Sequence, residues 1–307
     1  LAVLDQLGAG GGTAGAEGIR QAYALAERNL DPRGVNRVIL ATDGDFNIGI
    51  TDENELKGYI ERQREKGIFL SVLGFGMGNY NDALMQTLAQ NGNGAAAYID
   101  TLGEARKTLV DEATSTLFPI AKDVKIQVEF NPATVAEYRL VGYETRMLNR
   151  DDFDNDKVDA GDVGSGQTVT AIYEIVPVGG PRTMGDLRYS KPAPQSGPVA
   201  QSSEYGFVKI RYKLPKSDRS ALISTPIDRR VEYTRFADAP QDARFATGVA
   251  MFAELLRGGR YSGSTSLDDV LRIVTAARGD DGFGYRSEFV GLVRAAKSTG
   301  AMARLDR

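Results

Sequence analysis

The sequence predicts an α/β domain with a mostly parallel sheet, followed by a β-sandwich and a helical C-terminal region. Over residues 1–118, strand-like apolar runs alternate with amphipathic helices, as in successive βαβ units. Over residues 119–236, apolar residues recur at every second position, which is typical of antiparallel strands. Over residues 237–307, the apolar spacing is that of helices. These three ranges are the predicted domains.

The first domain is organised around a buried strand at residues 35–42, which ends in the turn signal Thr42-Asp43-Gly44. An amphipathic helix at residues 14–30 precedes this strand. The chain then alternates between helices at 52–66 and 81–90 and strands at 68–75 and 96–99, and a further helix starts after Thr101. Open α/β sheets bind ligands at the carboxyl ends of their strands, so Asp43 is predicted to lie at a binding edge.

The later strands and helices follow the change in period. Alternating residues predict strands at 124–130, 135–146, 168–178 and 207–214, with an exposed loop at 179–203. Three helices are predicted after residue 238.

Composition excludes several classes of function. The chain has a formal net charge of −4 and no Lys or Arg cluster, so it carries no electrostatic footprint for nucleic acid. No apolar run approaches the roughly 20 residues of a membrane-spanning helix. His and Cys are absent, which excludes disulfides, thiolate nucleophiles, histidine bases and the usual zinc sites. A bound metal would have to accept oxygen ligands, as Mg²⁺, Mn²⁺ and Ca²⁺ do.

A glycine turn at residues 10–15 presents the hydroxyl of Thr13 at the start of the first helix. Gly10, Gly12 and Gly15 match a dinucleotide-binding fingerprint, and Asp43 lies where a ribose-binding acid could follow. A dinucleotide-binding enzyme is therefore one alternative, although residues 1–7 have helix-like spacing where the fingerprint requires a strand. A purely structural turn is another.

Three longer stretches bear on the same region. They are GGGTAG at residues 10–15, VNRVILATDGDFNIG at 35–49 and LSVLGFGMGNYND at 70–82. Together they resemble bacterial von Willebrand factor type A (VWA) domain proteins that carry a distinctive C-terminal extension. The resemblance continues through AKDVKIQVEFNP at residues 121–132 and DAGD at 159–162.

The resemblance implies a VWA-like fold and a metal-ion-dependent adhesion site (MIDAS). In that family, an Asp-x-Ser-x-Ser loop, a threonine loop and an aspartate loop hold a divalent cation, and here Thr13 matches the threonine and Asp43 the aspartate. An Asp or Glu of a protein partner can complete the shell of such a metal. The resemblance also implies a location in the cell envelope or outside the cytoplasm, with the cytoplasm as the alternative.

The sequence departs from the family pattern before Thr13, where no Asp-x-Ser-x-Ser motif occurs. The expectation is therefore a VWA domain truncated at its N-terminus, which lacks its first strands and binds Mg²⁺ weakly or not at all by itself. The strand at residues 35–42 would then lie at an open apolar edge. A metal-independent structural scaffold is the remaining alternative.

Two further expectations concern other chemistry. Asp152, Asp154 and Asp156 have the spacing of a calcium-binding loop, but Lys157 and Val163 occupy positions that require Gly and Glu, so a solvated acidic loop is predicted. No nucleophile is accompanied by a base in any recognisable motif, so the chain is predicted not to be an enzyme.

Overall fold

The computed structural model describes residues 15–43, 53–76, 80–111, 118–143, 147–156, 158, 160–182, 203–217 and 219–299. These residues divide into two compact units. The first comprises the described residues within Leu1–Lys125, Asn155–Gln167 and Arg211–Ala221, and the second comprises the remainder. The predicted domain boundaries at residues 118 and 236 remain predictions.

The first unit contains a three-stranded parallel sheet, as the alternation of strands and helices predicts. Its elements in chain order are α1 (Gly15–Arg28), β1 (Asn36–Thr42), α2 (Glu53–Glu65), β2 (Ile68–Gly74), α3 (Asp82–Asn91) and β3 (Ala96–Tyr98). The strand order is β1-β2-β3, with Asn36 opposite Ile68 and Thr42 opposite Gly74. Gly67 ends α2 with a positive φ of 85°, a conformation that glycine adopts without strain.

One hydrophobic core holds this sheet and its helices together. All three helices contribute to it, and so do the side chains on one face of β2, namely Ile68, Leu70 and Val72, which are fully buried. Among the described residues β1 is an edge strand, and Ile39, which points away from this core, is 52% exposed. This strand was predicted to be buried, but in it only Thr42 is buried, because Ile39 and Ala41 face solvent on the side away from the core. An open edge was also predicted here, and β1 lies at the edge of the described sheet.

A short helix, α4 (Leu102–Arg106), follows β3 and continues as a π-helical turn, Lys107–Asp111. Its start was predicted correctly, because the Thr101 hydroxyl accepts the backbone N–H of Glu104 at 3.1 Å. Leu109 lies in the π-helical turn and is 50% exposed.

The β region forms two sheets among the described residues. Its strands are β4 (Pro119–Phe130), β5 (Val135–Val141), β6 (Gly161–Gly164), β7 (Ile172–Pro177), β8 (Glu204–Lys213) and β9 (Ser220–Asp228). One sheet has the order β6-β4-β8-β9, and β5 and β7 form an antiparallel pair. The sequence predicted strands in the regions of β4, β5, β7 and β8 but missed β6 and β9. The predicted sandwich packing of these sheets is not established by the described residues.

Three helices form the core of the second unit near the C-terminus, as predicted. They are α5 (Gln241–Leu256), α6 (Leu267–Ala276) and α7 (Tyr285–Ser298). Val270, Val274 and Val293 are fully buried between them. Helices α5 and α6 approach closely at Gly248, where an added Cβ would lie 2.3 Å from Val274 Cγ1.

Candidate functional site

The carboxyl edge of the parallel sheet is the candidate site, because the sequence placed Asp43 there. Asp43 directly follows β1, as predicted, and its side chain is exposed. The strand ends are tied together by backbone hydrogen bonds. The N–H of Phe75 donates to the Thr42 carbonyl at 2.8 Å, and the N–H of Ile99 donates to the Gly74 carbonyl at 2.7 Å. The three strand exits therefore lie side by side.

Gly76 brings the exit loop of β2 against Asp43. It has a positive φ of 84°, and a Cβ at this position would lie 3.7 Å from the Asp43 Cβ. The Tyr98 hydroxyl, at the end of β3, donates a hydrogen bond to the Gly76 carbonyl. Tyr98 thus holds Gly76, the residue that borders Asp43.

Two tyrosine rings form one side of an open recess beside this loop. Tyr80 and Tyr98 have ring centroids 5.0 Å apart and an interplanar angle of 45°. The recess has a volume of about 350 Å³ and is lined by Gly76, Tyr80, Asp82 and Tyr98. Gly74 makes room for the Tyr80 ring, because a Cβ on Gly74 would lie 2.1 Å from Tyr80 Cε2.

The electrostatics of the recess are visible at Tyr80. Burial raises the pKa of its hydroxyl, and the nearby Asp82 and Tyr98 raise it further. The Tyr80 hydroxyl is buried and has no hydrogen-bond partner among the residues that the structure describes. Asp82 begins α3, and the preceding Asn81 caps this helix by accepting the N–H of Leu84 at 3.1 Å.

The segments that flank the edge carry acidic residues but no basic ones. Residues 38–56 and 67–105 contain no Lys or Arg at all, so no cation is contributed by the segments on either side of the strand exits. The carboxylates of Asp43, Asp82 and Asp100 are exposed here. Exposed carboxylates of this kind are complementary to a positively charged ligand. The sequence shows that these segments lack basic residues, but the register of the strands is needed to show that both segments flank the same edge of the sheet.

Of the two predicted metal ligands, the structure places only Asp43. Thr13 lies outside the described residues, as do residues 10–14 of the glycine turn and residues 1–7, whose conformation would test the dinucleotide alternative. Within the part of the chain that the structure describes, no three His, Cys, Asp or Glu residues come together in a way that could hold a metal ion. The described residues therefore do not by themselves fit the predicted metal.

Asp152, Asp154 and Asp156 have the spacing of a calcium-binding loop, and the structure shows what the last of them contacts. Asp156 Oδ1 accepts hydrogen bonds from the Ser220 hydroxyl at 2.6 Å and from Arg211 Nη2 at 3.0 Å. These two bonds, and the charges of Arg211 and Lys213, lower the pKa of Asp156. The carboxylate thus anchors the β8–β9 turn.

A buried cluster of charges lies next to Asp156, and the sequence did not reveal it. Lys125 is fully buried, and its Nζ lies 3.2 Å from Asp123 Oδ1 and donates to the Asn155 carbonyl at 2.6 Å. Lys213 Nζ lies 2.9 Å from Asp123 Oδ2. Asp123 has a positive φ of 51°, within a stretch where the pairing of β4 with β6 is irregular. Two cations on one carboxylate satisfy the buried charges, so this cluster has a structural role.

These observations define a mixed α/β protein whose parallel sheet carries an acidic, aromatic-lined carboxyl edge. A protein-family model described as "Uncharacterized protein YfbK, C-terminal" matches residues 115–299, more than half of the chain. The chain therefore belongs to this family. Among the described residues, no helix combines the length and the apolar character that crossing a membrane requires.

One curated relative and two solved structures extend the comparison. The chain is 41% identical over 296 residues to "Uncharacterized protein YfbK" of Escherichia coli (strain K12). The matched region covers 96% of this chain and 50% of that protein. The chain thus spans about half the length of this relative. It is also similar to "von Willebrand factor type A from Catenulispora acidiphila", with a TM-score of 0.43, 16% identity, and 95% and 64% of the two chains covered. Similarity to the human COPII-coat protein Sec24c has a TM-score of 0.38, 11% identity, and 86% and 35% coverage. TM-scores this low carry no functional argument.

Proposed function

We propose that this chain is a protein-binding module of the VWA type, which engages its partner at the carboxyl edge of β1–β3. The observation that carries the proposal is the position of Asp43, exposed directly after β1 and bordered by Gly76. A carboxylate at the end of a parallel strand is where open α/β sheets bind ligands. The sequence motifs around Asp43 resemble the aspartate loop of a MIDAS.

A divalent cation is part of this proposal. Asp43 would supply a carboxylate oxygen and Thr13 a hydroxyl, donors that suit Mg²⁺, Mn²⁺ or Ca²⁺. One carboxylate and one hydroxyl are too few to hold Mg²⁺ tightly, since this ion gives up its water ligands reluctantly. Further oxygen donors, of the kind found in the Asp-x-Ser-x-Ser loop, are needed, and a longer chain is one source of them.

Binding without catalysis is also proposed, because the described residues that line the recess at this edge are an aspartate, tyrosines and a glycine, and the sequence shows no nucleophile accompanied by a base in a recognisable motif. The family resemblance supports a place in the cell envelope. An Asp or Glu of the protein partner would contact the cation directly.

The test is calorimetric titration of Mg²⁺ and Mn²⁺ into this chain and into a chain extended upstream. We expect weak or no binding to this chain and clear binding to the extended one. Asp43→Asn in the extended chain should abolish that binding, whereas Asp280→Asn, an exposed carboxylate in the second unit, should leave it unchanged. Absence of metal binding to both chains would refute the adhesion mechanism and favour the metal-independent scaffold.

A further inference from the structure

The recess beside Asp43 has the composition of a site for a cation. Two tyrosine rings and the Asp82 carboxylate line it, and the Tyr98 hydroxyl donates to the Gly76 carbonyl, which holds the Tyr98 ring in place. The electron-rich face of an aromatic ring attracts a cation, and a neighbouring carboxylate adds a charged partner. The positive end of α3 opposes a cation, but Asp82 in its first turn offsets this effect.

The charges around the recess also favour a bound cation. Tyr80 already experiences the Asp82 carboxylate, which contributes to its raised pKa. Residues 67–105 provide no Lys or Arg that could neutralise Asp82 or Asp100 from the same stretch of chain. A cation from outside the chain is therefore electrostatically complementary to this part of the edge.

The second unit shows the same chemistry within the chain. The Arg139 guanidinium lies 4.1 Å from the centroid of the Tyr261 ring and pairs with the carboxylates of Glu174 and Glu254. A guanidinium can stack on a ring and bind a carboxylate at the same time because it is planar and presents a fork of donors. Tyr98 and Asp82 offer an incoming guanidinium these two kinds of contact.

We propose that the recess formed by Gly76, Tyr80, Asp82 and Tyr98 receives an arginine side chain of the protein partner. This inference rests on the proposed function, because it places the partner at the edge that carries Asp43. The partner segment would then present an acidic residue toward Asp43 and an arginine toward the tyrosines. The recess thereby contributes specificity for a mixed acidic and basic sequence.

The recess can be tested without metal or an identified partner. The probe is Nα-acetyl-arginine methylamide, titrated into the chain carrying 3-fluorotyrosine, with ¹⁹F NMR as the readout. The Tyr80 and Tyr98 signals are assigned from Tyr80→Phe and Tyr98→Phe. We expect saturable shifts of these two signals with an affinity on the order of tens of millimolar, as suits a single side chain. The isosteric citrulline amide, which is neutral, should bind about fivefold more weakly.

Two variants locate the binding. Asp82→Asn should weaken binding of the arginine amide about threefold or more, while Asp100→Asn, an exposed carboxylate after β3 that does not line the recess, should change it little. Equal binding of the arginine and citrulline amides, shifts that do not saturate, or equal losses in the two variants would each overturn the proposal.

This outcome is separable from the metal titration. Arginine binding without metal binding by any chain supports the recess and refutes the adhesion mechanism. Metal binding by the extended chain without saturable arginine binding supports the proposed function and overturns the recess.

Discussion

Replacing Gly74 by Ala should displace the Tyr80 ring and thereby disrupt the aromatic recess. An added Cβ would lie 2.1 Å from Tyr80 Cε2, 2.4 Å from Cζ and 2.5 Å from the hydroxyl oxygen. These distances are far below van der Waals contact, so the ring must leave its position. The backbone at the carboxyl end of β2 is held by its pairing with β1, which leaves the side chain as the part that yields.

The cost follows from what Tyr80 loses. Its ring contact with Tyr98 is worth about 0.5–1.5 kcal/mol, and part of its buried apolar area returns to water. Overpacking of this kind typically destabilises a protein by about 1–3 kcal/mol, so we expect a loss of about 2 kcal/mol in the first unit. Burial is the main cause of the raised pKa of Tyr80, so this pKa should fall toward its ordinary value.

Two measurements check this prediction. Urea unfolding, monitored by hydrogen exchange of β2 peptides, gives the change in stability of the first unit. A ¹⁹F NMR pH titration gives the pKa of Tyr80. Gly161→Ala is the matched control, because this strand glycine in the same unit has no atom within 4 Å of an added Cβ. A Gly74→Ala variant with unchanged stability and an unchanged Tyr80 pKa would refute the reasoning.

Two other predictions concern stability. Gly94→Ala would place a Cβ 1.8 Å from the Leu70 carbonyl oxygen, a backbone atom that cannot rotate away, so we expect a loss of about 3 kcal/mol in urea unfolding. Gly18→Ala, in an open position of α1, should instead stabilise by about 0.5–1 kcal/mol, and equal effects would contradict the packing argument. The Ser266 hydroxyl, followed by Arg272, lowers the pKa of Asp269 to about 2, so the stabilisation by this ionised carboxylate is present above about pH 4 and is lost as the pH falls toward 2. The difference in melting temperature between the wild type and Asp269→Asn should therefore shrink from pH 6 to pH 2, and a constant difference would argue against the capping role.

The first unit was predictable because its signals are local. The buried run at β2, the Thr101 cap and the Gly67 stop each act within a few residues, and the structure confirms them. The apolar run at β1 forms a strand as predicted, but most of its residues are only partly buried or exposed. Asp43 could be placed at the sheet edge for the same reason, since it directly follows the apolar run that forms β1.

The missed strand β9 shows where such signals fail. Its residues 221–225 are all exposed, so neither face selects apolar side chains and no alternation develops. Pro226 within the strand also argues against a central position, in agreement with the observed edge position.

The recess could not be read from the sequence because its members are distant. Residues 74, 80 and 98 meet only after β2 and β3 pair in the observed register. The buried pair of Asp123 and Lys125 was missed for a related reason, because its partners come from residues 155 and 213, which are distant in the sequence.

The structure around Asp123 limits which residues this position can hold in related sequences. Its backbone has a positive φ, which glycine tolerates best, whereas its buried carboxylate holds two lysines and accepts the N–H of Ala160 at 3.1 Å. Glycine would meet the first demand and fail the second, and Glu would retain the charge but suits the left-handed backbone poorly. Only aspartate meets both demands, so the usual exchanges between similar residues are closed at this position. Replacement of Lys125 or Lys213 alone would leave the Asp123 carboxylate buried with fewer partners. The three positions are therefore expected to covary among related sequences.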